Sequence, residues 1–305
     1  MTSTLPLRCS KPVAQSLERG APVVALESTI ITHGLPRPRN LDTALRVEAV
    51  VRANGATPAT IAVIDGELHI GLDAEQLERL ANTDHVLKLS RADMASAMIS
   101  GATGSTTVAA TMIAARLAGI QVFATGGIGG VHRGAESSFD ISADLQELAA
   151  TAVTVVAAGA KAILDLPKTL EVLETLGVPV IGYRTDQFPA FWSRTSGLPV
   201  PTRLDDADAI ARAHRMQGRL GLSGGQLVAN PIPTEAEIPL EQINPVIEIA
   251  LRQADQARIT GKDVTPFLLQ QVLDLTQGRS IEANIALIEN NAALAARIAC
   301  HLAEN

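Results

Sequence analysis

The sequence predicts an α/β fold with a sheet-rich first part and a helical C-terminal part, and three observations carry that prediction. Short β-type runs alternate with helical patterns as far as about residue 200 of the 305. Hydrophobic residues make up 47% of the chain and aromatic ones only 2%, so the core is built from Ala, Val, Ile and Leu, the usual filling of helices packed on a parallel sheet. No low-complexity linker and no repeat of fixed period interrupts the pattern. A single domain over 1–305 is therefore expected, with residues 1–20 poorly ordered or peripheral.

Taken in order, the strand-type runs are Val23 to Leu26, Thr60 to Ile64, Val86 to Leu89, Gln121 to Ala124, Val153 to Ala157 and Val178 to Ile181. Between them, Asn40 is placed to cap a helix ending at Asn54-Gly55. Asp73 and Gln76 have the spacing of a capping box ahead of Leu77 and Leu80. Pro167 to Leu176 reads as a helix stopped by Gly177. Beyond about residue 200 only helices are expected: Asp205 to Gln217, Leu240 to Ile259, Thr265 to Thr276 with Thr265 as N-cap and Pro266 at the first helical position, and Ser280 to the end. Residues 193–203 form the expected long loop.

Composition narrows the function classes. Net charge is −7 and the sequence pI about 5.4, with no basic run carrying interleaved aromatics, so a nucleic-acid partner is not expected. Cys9 and Cys300 have no spaced partners and suggest neither a disulfide framework nor a thiolate metal site. No apolar run approaches the ~20 residues a membrane span needs, and no secretory leader is visible. A cytoplasmic protein acting on a small molecule is the expectation.

A few positions carry chemistry. Among only five lysines, Lys161 directly follows the apolar run Val153 to Ala160. An amine at the C-terminal end of a buried strand lies where open α/β sheets place their ligands, and apolar surroundings favour its neutral, nucleophilic form. A snorkelling lysine is the plainer alternative. Glu27 ends the run Val23 to Leu26. A carboxyl among apolar residues keeps its proton and can donate it; a cap or ion-pair partner is the alternative. Residues 124–134 place five glycines and His132 directly after a strand, permitting close backbone approach to a ligand, but without the helix and acidic residue of a dinucleotide fingerprint. Residues 101–108 (Gly-Ala-Thr-Gly-Ser-Thr-Thr-Val) are a second phosphate candidate, because they lead into a helix whose first N–H groups suit an anion; an ordinary turn with a threonine cap is the alternative. Asp140 and Asp144, four apart around Ser142, suit a divalent ion that takes oxygen ligands and keeps much of its water, or else serve as helix caps. His33 either orients a substrate or plugs a turn.

Taken together these segments resemble the pseudouridine-5′-phosphate glycosidase family, whose members include the indigoidine-cluster A proteins. The resemblance runs from about Ala21 to Ile298. It rests on residues 25–34 (Ala-Leu-Glu-Ser-Thr-Ile-Ile-Thr-His-Gly), 125–134 and 159–165 (Gly-Ala-Lys-Ala-Ile-Leu-Asp), with further agreement at 185–191 (Thr-Asp-Gln-Phe-Pro-Ala-Phe), 229–233 and 284–292. It implies a three-layer α/β/α sandwich with a mainly parallel sheet, assembled as a homotrimer. It also implies that Lys161 is the nucleophile and Glu27 the proton donor, and that Asp140 holds one divalent ion per subunit, Mn²⁺ or alternatively Mg²⁺. Lys88, Thr107, Val108, Ser142, Ala143 and Asp144 match positions that bind the sugar phosphate, with His132 assisting and Asn284 facing the base. Ser105 stands where a glycine is usual, and Ala158 where a cysteine is common.

The implied reaction splits pseudouridine 5′-phosphate reversibly into uracil and ribose 5-phosphate through a lysine–ribose Schiff base. The residue types suit it: a C-glycoside has no heteroatom leaving group, so a carboxylate pair alone would have to expel a carbanion. A Schiff-base aldolase and a non-catalytic sugar-phosphate binder are the rival expectations.

Overall fold

The computed structural model describes residues 6–259, 261 and 264–304. Its strands are β1 (Leu7–Cys9), β2 (Val23–Leu26), β3 (Thr57–Ile64), β4 (Glu67–Ile70), β5 (Leu87–Leu89), β6 (Gly104–Thr106), β7 (Val122–Ala124), β8 (Thr154–Ala157), β9 (Val180–Tyr183), β10 (Thr202–Leu204) and β11 (Gln226–Ala229). The helices are α1 (Lys11–Glu18), α2 (Arg39–Ala53), α3 (Ala74–Asn82), α4 (Met94–Ile99), α5 (Val108–Leu117), α6 (Ala135–Ser138), α7 (Ala143–Ala150), α8 (Leu166–Thr175), α9 (Ala207–Arg219), α10 (Leu240–Gln256), α11 (Val264–Leu275) and α12 (Arg279–Ala303). A π-helical turn at Ile30–Gly34 follows β2.

The strands join in one sheet of order β1-β4-β3-β2-β7-β8-β11-β9-β10, parallel except that β4 and β6 run antiparallel to β3; β5 pairs in parallel with β6. Helices cover both sides, as expected of an α/β/α sandwich: α12 packs with α2 and α9 against β2, β7 and β8, while α5 packs with α7 against β2, β3 and β7. The inner strands are apolar on both faces, with Val23 to Leu26 and Val155 to Ala157 all buried, because each is covered twice. Among the described residues no helix is long and apolar enough to cross a membrane.

The six expected strands all form. The capping box is also present, with Gln76 N–H donating to Asp73 Oδ1 at 2.8 Å and Asp73 N–H donating to Gln76 Oε1 at 3.1 Å. Three expectations are corrected, and one hairpin is added that no expectation covered. Residues after 200 are not all helical: β11 enters the middle of the sheet between β8 and β9, and β10 pairs with the far side of β9. A four-residue apolar run buried on both faces has no alternation to betray it, and Gly225 lets it approach the Val153 carbonyl so closely that any side chain would collide. Residues 65–66 make a hairpin between β3 and β4, with Asp65 and Gly66 both at positive φ as a two-residue turn requires. Asn40 does not cap α2. It lies inside the first turn, buried, and its Nδ2 donates to the Ile31 and Ala81 carbonyls. Thr265 is likewise inside α11 (Val264–Leu275) rather than its cap.

What matters for the site is a fork in β3. Its first half, Thr57 to Thr60, pairs with β2; Ala62 and Val63 pair with β6, which takes over that edge where β2 ends. Ser28 stitches the junction, donating to the Ile61 carbonyl at 2.6 Å and accepting Thr106 N–H at 2.9 Å. The end of β2 and the start of α5 are thereby held side by side.

Candidate active site

Because β2, β7, β8 and β11 are parallel, their C-terminal ends share one edge, the place where open α/β sheets bind ligands. Glu27 follows β2, the glycine run follows β7 and Lys161 follows β8, its main chain docked by Lys161 N–H donating to the Ile128 carbonyl at 3.1 Å. The cleft there has two lobes that share Glu27, Thr29, Lys88, Lys161 and Thr265. The Asn284 lobe, about 490 Å³ with its open mouth, adds Ile30, Phe191 and Leu269. The Asp140 lobe, about 1010 Å³, adds Thr107, Val108, Gly129, His132, Ser142, Ala143 and Asp144. Every site residue the sequence nominated therefore lines one cleft.

At the centre, the Glu27 carboxyl is gripped on both oxygens: Thr29 Oγ1 donates to Oε2 and Thr125 Oγ1 donates to Oε1. Neither threonine was nominated from sequence, although each lies inside a motif quoted above. In the Asp140 lobe, Asp144 is a strap. Its Oδ1 accepts Ala109 N–H at 2.9 Å and its Oδ2 accepts Gly129 N–H at 2.8 Å, tying the first turn of α5 to the glycine run. Thr107 is the N-cap of α5, its side chain accepting Ala110 N–H, which is the threonine-cap alternative for this segment, and 104–106 are strand β6, not loop. Gly129 is needed for space rather than for φ, since a Cβ there would lie 2.7 Å from Asp144 Oδ2.

Electrostatics divide the histidines. His132 lies with Nδ1 3.9 Å from Asp140 Oδ2, and its N–H donates to the Asp140 carbonyl at 3.0 Å. Burial, helped by neighbouring Lys161 and Lys88, holds its imidazole below the ordinary value and outweighs the pull of Asp140. His33 is also held low, by burial first and then by Lys88. Its Nδ1 is 2.6 Å from Thr32 Oγ1 and 3.3 Å from Ser105 Oγ, so it braces the π-turn after β2 while also lining the Asn284 lobe. Phe191, missed by sequence reasoning, is buried with φ 59 and walls the Asn284 lobe.

An α/β protein with a lysine and a carboxyl lining one cleft at the C-terminal edge of its sheet is the class that fold and site define. The chain belongs to the indigoidine synthase A-like family, whose model matches residues 12–301. It is 66% identical over 296 residues to the pseudouridine-5′-phosphate glycosidase of Paracoccus denitrificans, covering 96% of this chain and 97% of that one. Its identity to the enzyme of the same name from Jannaschia sp. is 65%, covering 97% and 98%. Among solved structures it is similar to a prealnumycin C-glycosynthase in complex with ribulose 5-phosphate (TM-score 0.91, 40% identity, covering 99% and 98%). It is similar also to an indigoidine synthase A-like protein of Thermotoga maritima (TM-score 0.90, 35% identity, covering 100% and 99%).

Proposed function

We propose that this chain is a pseudouridine-5′-phosphate glycosidase, cleaving the C–C bond between ribose 5-phosphate and uracil. The observation that carries the assignment is the position of Glu27 and Lys161, which line both lobes of one cleft. Relatives of that name at 65% and 66% identity over nearly the whole chain support it.

The sugar phosphate occupies the Asp140 lobe, which Lys88 and Lys161 line beside Thr107, Val108 and Ser142, and the base occupies the Asn284 lobe against an amide that can read a carbonyl and an N–H. Glu27 gives a proton to the ribose ring oxygen while Lys161 Nζ attacks C1′; the C1′–N bond forms, the C1′–O bond breaks and the ring opens. The new ammonium returns its proton to Glu27, which passes it to the base carbon that carries the sugar. The nitrogen lone pair then forms an iminium as the C–C bond breaks, the bonding pair staying with the base. Water adds to the iminium and releases ribose 5-phosphate and the free amine.

A divalent ion, Mn²⁺ or Mg²⁺, belongs to the same proposal. Among the described residues no group of three or more His, Cys, Asp and Glu converges. Asp140 alone, facing the lobe with its side chain 40% exposed, fits an ion that keeps most of its water. Such an ion would supply positive charge beside the phosphate. A cytoplasmic homotrimer completes the proposal, and sedimentation at three times 31.9 kDa tests it.

The deciding experiment incubates the protein with pseudouridine 5′-phosphate and follows free uracil, then repeats it with ribose 5-phosphate and borohydride, expecting one reduced adduct on Lys161. An aldehyde fragment without uracil would mark an aldolase instead. Binding of ribose 5-phosphate without any trapped adduct would mark a non-catalytic binder.

A further inference from the structure

Two of the quoted motifs, 229–233 and 284–292, contain asparagines that the reaction above does not use. The structure joins them. Asn291 of α12 is fully buried, and its Nδ2 donates to the Thr125 carbonyl at 2.8 Å and to the Gly126 carbonyl at 3.3 Å. Its Oδ1 accepts from Nδ2 of Asn230, itself 4% exposed, at 2.9 Å. Because two carbonyls face one end of the Asn291 amide, that end must be the NH₂, so the orientation of both amides is fixed by their neighbours. Asn290 anchors the same junction by donating to the Pro231 carbonyl at 3.0 Å.

The Thr125–Gly126 segment is held from the other side too. Thr125 N–H donates to the Val156 carbonyl at 3.0 Å, and Ala158 N–H donates to the Gly126 carbonyl at 2.9 Å. The segment therefore sits between α12 and the strand end that leads to Lys161, with its one free side chain, Thr125 Oγ1, donating to Glu27 Oε1. With a threonine hydroxyl on each carboxyl oxygen, Glu27 cannot rotate about its last bond.

We propose that the buried Asn230–Asn291 pair is the positioning device of the proton donor: it fixes the Thr125–Gly126 main chain so that the Thr125 hydroxyl keeps the Glu27 carboxyl aimed at the reacting sugar. The proposal rests on the glycosidase reading for the role of Glu27. Burying two amides beside a glycine run is costly unless each is fully paired. A helix-to-sheet contact needing no orientation is met as well by aliphatic side chains, with which the buried face of α12 is mostly lined.

The test is a double-mutant cycle on pseudouridine 5′-phosphate cleavage, with thermal melting of each variant alongside. Thr125→Val and Asn291→Ala should each lower kcat about tenfold or more, the scale of misplacing a general acid, while KM stays within about threefold. Thr125→Ser, which keeps the hydroxyl, should retain most of kcat. In the Thr125→Val background, Asn291→Ala should cost almost nothing further, because the hydroxyl it positions is gone. Losses that multiply in the double variant would overturn the proposal, as would a raised KM with kcat intact. Should Asn291→Ala fail to fold, Asn230→Ala carries the test: it removes only the Asn–Asn bond and should lower kcat several-fold, again non-additively with Thr125→Val. A wild-type kcat with a lowered melting temperature in that variant would show a purely structural pair. Failure of the unmodified protein to release uracil is a separate result, and it would remove the functional reading and this proposal with it.

Discussion

Replacing Asp144 by asparagine separates a strap from a ligand. The carboxylate is 6% exposed and spends both oxygens on main-chain donors, Ala109 N–H at 2.9 Å and Gly129 N–H at 2.8 Å. Ala109 lies in the first turn of α5, where N–H groups have no partner within the helix. A hydrogen bond to a charged acceptor contributes about 1.5–3 kcal/mol. Asparagine keeps one acceptor and turns its NH₂ toward the other N–H, so one bond is lost and one donor is left unpaired, a cost of about 2–3 kcal/mol. In a chain of this size each kcal/mol lowers the melting temperature by about 2 °C, giving a fall of ~5 °C. Gly129 and Val108 then lose their register in the Asp140 lobe, and KM for pseudouridine 5′-phosphate should rise about tenfold, the equivalent of 1.4 kcal/mol, with kcat less affected. Calorimetry and steady-state kinetics on one preparation give both numbers. An unchanged melting temperature with a raised KM would refute the strap, because the carboxylate would then be touching substrate rather than holding the lobe together.

Lys161→Ala should abolish uracil release and borohydride trapping while ribose 5-phosphate still binds, as equilibrium dialysis would show; residual turnover near the wild-type rate would remove the amine from the mechanism. Excess chelator should silence the enzyme and Mn²⁺ restore it, and full activity in chelator would dispose of the ion at Asp140. Burial holds His33 and His214 below the ordinary imidazole value of 6.5, so the folded state prefers them neutral. Their contribution to stability is complete above 6.5 and is lost as pH falls below it, because the unfolded chain takes up protons first. A melting temperature rising between pH 7 and pH 5.5 would contradict this. Gly127→Ala would place a Cβ 2.6 Å from Phe191 Cδ2, and Phe191 cannot retreat while its N–H donates to the Ala158 carbonyl at 3.0 Å. Overpacking of about 1–3 kcal/mol should appear as a lower melting temperature, and a wild-type melt would show that the ring moves freely.

The parts of the fold legible in the sequence were those with a local signature. The capping box at Asp73 and Gln76 and the apolar strand ends before Glu27 and Lys161 depend only on near neighbours. β11 was illegible because its meaning is long-range: Gln226 looks like a polar interruption until its Nε2 is seen donating to Thr154 Oγ1 and the Ile210 carbonyl, both at 3.1 Å. The same divide runs through the site. Residues that carry reactive groups announced themselves by chemical type, whereas Thr29 and Thr125 are ordinary threonines until the Glu27 carboxyl is placed between them. Asp144 was nominated for its charge, yet that charge faces inward onto two N–H groups.

That division has a consequence for how the cleft is built. The Asp140 lobe is made largely from the first half of the chain, by the glycine run, the α5 N-terminus and the start of α7. The Asn284 lobe takes Ile30, His33 and Gly34 of the π-turn and Gly126 and Gly127 of the glycine run from the first half, and from the second half Phe191, then Pro266 and Leu269 of α11, and Asn284 of α12. Glu27, Lys88 and Lys161 lie where the two meet. The Asp140 lobe, proposed for the sugar phosphate, is thus held by main-chain bonds to Asp144, which tolerate little change, and the Asn284 lobe, proposed for the base, is walled in part by helix side chains that can be exchanged without moving Glu27 and Lys161. Such a cleft can change the base it accepts by substitution on α11 and α12 while Glu27 and Lys161 stay where the parallel strands put them.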